Sequence, residues 1–169
     1  MITRYPKSRR KFLSGWDQIL YLYDKILYWF YSRHRRSEAL RFSDKLERLL
    51  RIHAPGHVAI KGEECWSLIY DVKGNLRKAI KHREKEIQLI RRLQRIGQGT
   101  DGYGAGDLAD RLDLLAILYD DAGDTGRAIK VLRQSQKICL CAGVPFDGKD
   151  LLEDFQRVVK KSKDGTIGN

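Results

Sequence analysis

The sequence predicts an all-α protein made of antiparallel helical hairpins, and three observations carry that prediction. Apolar residues recur at intervals of three and four along most of the chain. Helix breakers are few and collect in short clusters: Pro55-Gly56, Lys73-Gly74-Asn75, the glycines at 97, 99, 102, 104 and 106, Gly123-Asp124, and positions 143–148. No stretch alternates with period two for long enough to build a sheet.

The elements follow in order. Residues 15–33 place Trp16, Ile19, Leu20, Tyr23, Ile26, Leu27 and Phe30 at helical spacing. Residues 37–52 carry Leu40, Leu46, Leu49 and Leu50, with Ser37 as N-cap and Pro55-Gly56 as the stop. Residues 58–73 and 76–96 form a pair around Gly74-Asn75, and 108–122 and 125–142 repeat that design around Gly123-Asp124. A last helix, 149–161, follows Pro145 and caps the stack. Residues 1–14 read as a basic arm, 15–162 as one helical-repeat domain with hairpins at 15–52, 58–96 and 108–142, and 163–169 as a flexible tail.

A helical hairpin buries its apolar face fully only when another stacks on it, so paired helices call for a search for repeats. Aligning Gly74 with Gly123 sets Tyr70 over Tyr119, Ser67 over Ala116, Trp66 over Leu115 and Ala79 over Ala128. Small residues at 67/116 and 79/128 let the helices approach closely, an aromatic at 70/119 fills the wedge between them, and Gly followed by Asn or Asp makes the turn. These four positions, Tyr70, Ala79, Tyr119 and Ala128, are predicted to be buried.

This pattern resembles the tetratricopeptide repeat (TPR). Ala116, Tyr119, Gly123, Asp124, Ala128 and Ser135 match one repeat, and Ser67, Tyr70, Gly74, Asn75 and Ala79 match another. Arg83 and Glu86 stand where the family prefers an aromatic and a small residue, and the copies lie 49 residues apart, with 98–106 as an inserted connection. Tyr23 to Arg51 forms a third copy, with Phe30 in the aromatic place, Ala39 in the small place and His34 instead of glycine. The resemblance implies a right-handed superhelical scaffold that binds other proteins and has no chemistry of its own. It also implies a ligand groove lined by the first helix of each pair: Lys61, Glu64, Leu68, Asp71 and Val72 in one copy, and Asp110, Asp113, Ile117, Asp120 and Asp121 in the next. The second set is acidic and suits a basic or amphipathic segment. It lacks the Lys, Asn and Arg set with which some family members clamp a terminal carboxylate.

The chain carries 33 Lys and Arg against 22 Asp and Glu, a net charge of +11, which favours an anionic or acidic partner. The charge is two-ended: residues 1–97 hold 23 basic and 10 acidic residues, and 98–169 hold 10 and 12. Lys78, Lys81, Lys85, Gln88, Arg92 and Arg95 make one stripe on the fourth helix, opposite Leu76, Ile80, Ile87 and Ile90. Arg33, Arg35 and Arg36 flank an aromatic first helix that includes Tyr21, Tyr28, Trp29 and Tyr31. These features support a second reading: a basic nucleic-acid-binding accessory subunit of a ribonucleoprotein, defence or mobile-element complex. A solvated outer helix face, or an interfacial membrane helix for the aromatic segment, would leave the same marks.

No motif points to catalysis, a cofactor or a metal. His53 and His57 flank a Pro-Gly break with Cys65 nearby, which reads as surface loop histidines rather than a metal site. Cys139 and Cys141 lie two apart on a helix and point to different sides. The glycines at 97–106 precede a helix but have no Gly-Lys-Ser/Thr and carry Asp101 and Asp107, which would repel phosphate. Asp17, Gln18, Asp24 and Lys25 interrupt the first helix as a membrane span. Three cysteines without CxxC fit a reducing, cytoplasmic setting, and the basic start lacks a signal-peptide cleavage site. The expected function is a non-enzymatic protein-interaction scaffold, with self-association through its oppositely charged halves as one form of partner.

Overall fold

The computed structural model describes residues 15–53, 59–96 and 103–164. The expectations for the 1–14 arm, for Pro55-Gly56 and His57, for 98–102 of the connection and for 165–169 of the tail lie outside them. The described residues are all helical and turn, in the order α1 (Gly15–Leu27), a five-residue π-helical turn (Tyr28–Ser32), α2 (Arg36–His53), α3 (Ala59–Val72), α4 (Leu76–Arg95), α5 (Ala105–Asp121), α6 (Thr125–Ala142) and α7 (Lys149–Asp164). Contacts divide the chain into two compact units, Met1–Ala79 and Ile80–Asn169, so the division falls inside α4.

The hairpin turns show why the sequence folds locally as it does. Gly74 and Gly123 take positive φ, 73° and 81°, a conformation that costs glycine nothing. Asn75 N–H then donates to Tyr70 O, and Asp124 N–H to Tyr119 O, which closes both helix ends. Asn75 Oδ1 and Asp124 Oδ1 accept the Lys78 and Arg127 backbone N–H groups, so the residue after each glycine is the N-cap of the next helix. His34 also has positive φ, 50°, and holds the glycine place of the first hairpin. The carbonyl that closes this turn belongs to Trp29 and bonds to Arg35 N–H. The π-helical turn adds one residue, so Trp29 rather than Phe30 stands where Tyr70 and Tyr119 stand.

From each turn the same burial pattern runs down the second helix. Ala39, Ser43, Leu46 and Leu50 are buried on α2, Ala79, Arg83, Glu86 and Ile90 on α4, and Ala128, Leu132, Ser135 and Cys139 on α6. The spacing of four, three and four keeps one face inward. Residues 39–50 therefore share the burial spacing of the other two second helices despite their weaker sequence match. Arg83 and Glu86 fill the two slots that depart from the family pattern as a buried ion pair, and Arg111 Nε lies 3.3 Å from the second Glu86 oxygen.

In the first unit the core joins Ile19, Leu22, Tyr23 and Ile26 of α1, Ala39, Leu46 and Leu50 of α2, and Cys65, Leu68, Ile69 and Val72 of α3. In the second, α5 packs along α6 through Leu108, Leu112, Leu115, Ala116 and Tyr119 against Ala128, Leu132 and Cys139. α7 packs on α6 and buries Leu152 and Phe155. Of the four contact positions, Ala79, Tyr119 and Ala128 are buried. Tyr70 is only half-buried, because it stacks on the half-buried Trp66 at 5.8 Å with Lys78 Nζ 5.0 Å above its ring. α5 starts at Ala105, a turn before the expected 108, because the Asp107 carboxylate accepts the Gly104 N–H and caps the helix early.

Candidate functional site

Each unit is built from its own residues. In the second, α5 sets Asp110, Asp113, Ile117, Asp120 and Asp121 at intervals that share one face. Asp110 and Asp121 are exposed, while Asp113, Ile117 and Asp120 are half-buried. Asp120 Oδ1 accepts the Thr125 hydroxyl at 2.7 Å. Burial pushes the carboxyls of Asp110, Asp113 and Asp121 above the ordinary range. Neighbouring carboxylates add to this: Asp107 and Asp147 on Asp110, Asp110 and Asp147 on Asp113, and Asp120 on Asp121. Arg111 draws Asp110 partly back down, and Ser135 does the same for Asp113. Arg111 is the only cation on α5, and its Nε is aimed at the buried Glu86. The face is thus an acidic strip on which burial first, and neighbouring carboxylates second, disfavour the charged form.

Sequence reasoning missed two members of this strip. Asp147 stands in the short segment between α6 and α7 and acts on both Asp110 and Asp113. A Cβ added to Gly148 would come within 2.9 Å of Asp113 Oδ2, so that segment closes tightly over the middle of the strip. Asp107 doubles as the α5 cap. The Asp147 proximity is not encoded in helix spacing, whereas Asp107 stands three residues before Asp110 and joins the strip because α5 starts earlier than expected.

In the first unit the corresponding residues lie differently. Glu64 is 5% and Leu68 3% exposed, and Val72 is fully buried. Leu68 and Val72 belong to the core, so they are not groove-lining residues as expected. Glu64 accepts the Tyr23 hydroxyl at 2.5 Å and pairs with Lys61 Nζ at 2.7 Å, and that ammonium lies 3.8 Å from the Tyr23 ring centre. Asp71 accepts the Tyr31 hydroxyl at 2.6 Å. Aromatic side chains of α1 and the π-helical turn therefore reach over α3 and engage the positions expected to meet a ligand. Lys61 and Asp71 alone stay half-exposed there.

The basic residues fall into two groups. Lys78, Lys81, Lys85, Arg92 and Arg95 are all exposed along α4, as the spacing predicts. Arg33, Arg35 and Arg36 are exposed too, but each has an internal role. Arg33 Nε donates to the Tyr28 hydroxyl, the Arg35 guanidinium lies 5.9 Å over the Trp29 ring, and Arg36 Nε donates to Val72 O at the end of α3. They brace the first hairpin.

Among the described residues no helix is long and apolar enough to cross a membrane, and no three His, Cys, Asp or Glu side chains converge as metal ligands. A cavity of about 500 Å³ between α6 and α7 is lined by Cys139, Leu140, Val144, Phe146 and Leu152, with Arg133, Lys149 and Glu153 among its polar residues.

Hairpins closed by a left-handed turn residue, with a small residue buried five positions later, define an α-helical repeat fold of the tetratricopeptide kind. The solved TPR2AB domain of yeast Sti1, in its complex with pHSP90, has the same fold: the TM-score is 0.58 at 14% identity over 92% of this chain. The match covers 52% of that chain, so this protein spans about half its length. No protein-family model matches the sequence, and no curated protein matches it.

Proposed function

We propose that the protein is a non-catalytic interaction module whose α5 face receives a basic or amphipathic segment of another protein. The observation that carries this reading is the α5 strip, where Asp110, Asp113, Ile117, Asp120 and Asp121 share one face and the only cation of the helix is turned onto Glu86. Basic side chains would meet the exposed carboxylates of Asp110 and Asp121, while Asp113 lies under the 147–148 segment, and half-buried Ile117 offers an apolar anchor between them. The TPR-like fold, which in the Sti1 structure is seen in a complex, is consistent with a binding role. The α3 face contributes little, since Glu64 and Leu68 are interior.

The test is a peptide array of basic, amphipathic and acidic 15-residue segments probed with the wild-type chain and with Asp110→Lys/Asp121→Lys, which alters the two exposed carboxylates of the strip and leaves the packed Asp113 in place. Basic amphipathic segments should be retained by the wild type and lost by the double variant, mainly through slower association. Selection of acidic segments, or equal retention by both proteins, would overturn the assignment.

A further inference from the structure

The second unit carries a charged surface that the groove reading does not use. α6 contains Arg127, Lys130, Arg133 and Lys137 and no acidic residue, and all four are exposed. Arg127 is paired with the N-cap Asp124 at 2.9 Å, whereas Lys130, Arg133 and Lys137 make no ion pair among the described residues. On α4 the exposed cations of this unit are Lys81, Lys85, Arg92 and Arg95, and they span about 21 Å of helix. The two acids of that helix are both drawn inward: Glu84 accepts the Tyr119 hydroxyl, and Glu86 is buried with Arg83 and Arg111. Glu84 thus lies at the edge of the α4 stripe, turned toward Tyr119, and Glu86 lies inside.

The two faces turn the same way. α4 contacts α5 through Glu84 with Tyr119, Glu86 with Arg111 and Gln94 with Tyr103, so these helices are antiparallel. α6 is antiparallel to α5 as well, with Ser135 bonded to Ala109 O, and α4 and α6 are therefore parallel to each other. Tyr119 lies between them: its hydroxyl bonds to Glu84, and the Arg127 guanidinium sits 5.6 Å over its ring. At about 100° per residue, the α4 cations are centred roughly 60° to one rotational side of Glu84. Lys130, Arg133 and Lys137 of α6 are centred roughly 90° to the opposite side of Arg127. For parallel helices that face each other across Tyr119, opposite rotations bring both stripes to one solvent side.

We propose that this joint α4/α6 face binds the phosphate backbone of a nucleic acid. Regularly spaced, exposed cations are what a polyanion needs; the exposed residues of α4 include no apolar side chain before Ile96, and on α6 the one large exposed apolar residue, Leu140, comes after the last cation of the stripe. A protein partner would favour an aromatic or aliphatic centre and few lysines, and a membrane surface would need apolar side chains to insert. The inference is independent of the α5 strip, and it predicts contacts that read phosphate rather than base.

The experiment is fluorescence anisotropy of a labelled 30-nucleotide single-stranded RNA and a DNA duplex of equal length, with the full chain, at 50 to 200 mM KCl. Two charge-matched double variants are compared: Lys130→Glu/Lys137→Glu on α6, and Arg157→Glu/Lys160→Glu on α7; Arg133 and Lys149 are left alone because they line one cavity between these helices. Circular dichroism checks that both keep their helix content. The α6 variant should weaken binding at least about 10-fold at 100 mM salt, and lower the single-strand salt slope by about 1.4, for two lost contacts. The α7 variant should change affinity less than about threefold, since it alters net charge equally but lies off the face. Four outcomes would overturn the proposal: no binding at 50 mM salt, equal losses in the two variants, competition by polyglutamate as strong as by RNA, or tighter binding to phosphatidylserine vesicles than to either nucleic acid.

Discussion

Removing the Glu86 carboxylate should unfold the second unit more readily than any surface change, and the structure sets the size of the effect. Glu86 is 0% exposed and Arg83 5%, and Arg111 supplies the second partner. Glu86→Ala leaves the Arg83 guanidinium buried without its counter-charge, while Arg111, less deeply buried, can turn toward water. Breaking a buried pair from one side costs about 3 to 5 kcal/mol, a large part of the roughly 5 to 15 kcal/mol that holds a domain together. The repair is the informative half. Arg83→Met with Glu86→Leu fills the same two slots with apolar groups, and it should restore stability to within about 1 kcal/mol of wild type or exceed it. Urea unfolding followed by far-ultraviolet circular dichroism gives both values, provided that the slope m stays constant. A Glu86→Ala protein within about 1 kcal/mol of wild type, or a double variant no more stable than Glu86→Ala, would refute the reasoning.

Three further outcomes follow from the packing and the charges. Ala128→Leu should lose about 1 to 3 kcal/mol by overpacking a fully buried contact, read from the same denaturant curves. Gly74→Ala should destabilise more than Gly123→Ala: both have positive φ, but a Cβ at 74 would also meet Arg36 Nη2, whereas position 123 is open. The melting temperatures of the two variants decide that order. Asp110, Asp113 and Asp121 bind protons more tightly folded than unfolded, so their combined effect is to raise stability as pH falls from 7 toward the ordinary Asp value near 3.8. Glu47, lowered chiefly by its hydrogen bond with Lys73, acts in the opposite sense, with its contribution lost as pH falls below 4.5. Asp113→Asn should therefore raise stability at pH 7 and flatten the gain on acidification, measured by melting scans between pH 4 and 7.

Much of the fold was legible because it is encoded locally. Gly74-Asn75 and Gly123-Asp124 state the turn, the left-handed φ and the next helix cap within two residues, and Ser67, Ala79, Ala116 and Ala128 mark close approach by size alone. What escaped depends on partners distant in sequence. The π-helical turn at Tyr28–Ser32 is accompanied by Tyr31 reaching Asp71 and Arg36 reaching Val72 O, contacts across about forty residues that no local spacing reports. Glu64 is interior because Tyr23 and Lys61 meet it, although hydropathy places a glutamate outside. Arg83 and Glu86 carried a usable signal: their distances of four and seven from Ala79 repeat those of Leu132 and Ser135 from Ala128. The α6 cations were hidden by arithmetic, since adding them to the α5 aspartates made the C-terminal half look nearly neutral. Charge summed by helix rather than by half separates an acidic α5 from a basic α6.

The most direct measurement is photo-crosslinking from p-benzoylphenylalanine placed at Ile117, compared with the same group at Lys137, followed by mass-spectrometric identification of the captured segment. The account predicts that position 117 captures a basic or amphipathic protein segment, that Asp110→Lys/Asp121→Lys abolishes the product, and that position 137 yields no such segment. Capture of an acidic segment at 117, or of the same segment with equal yield from 117 and 137, would contradict it.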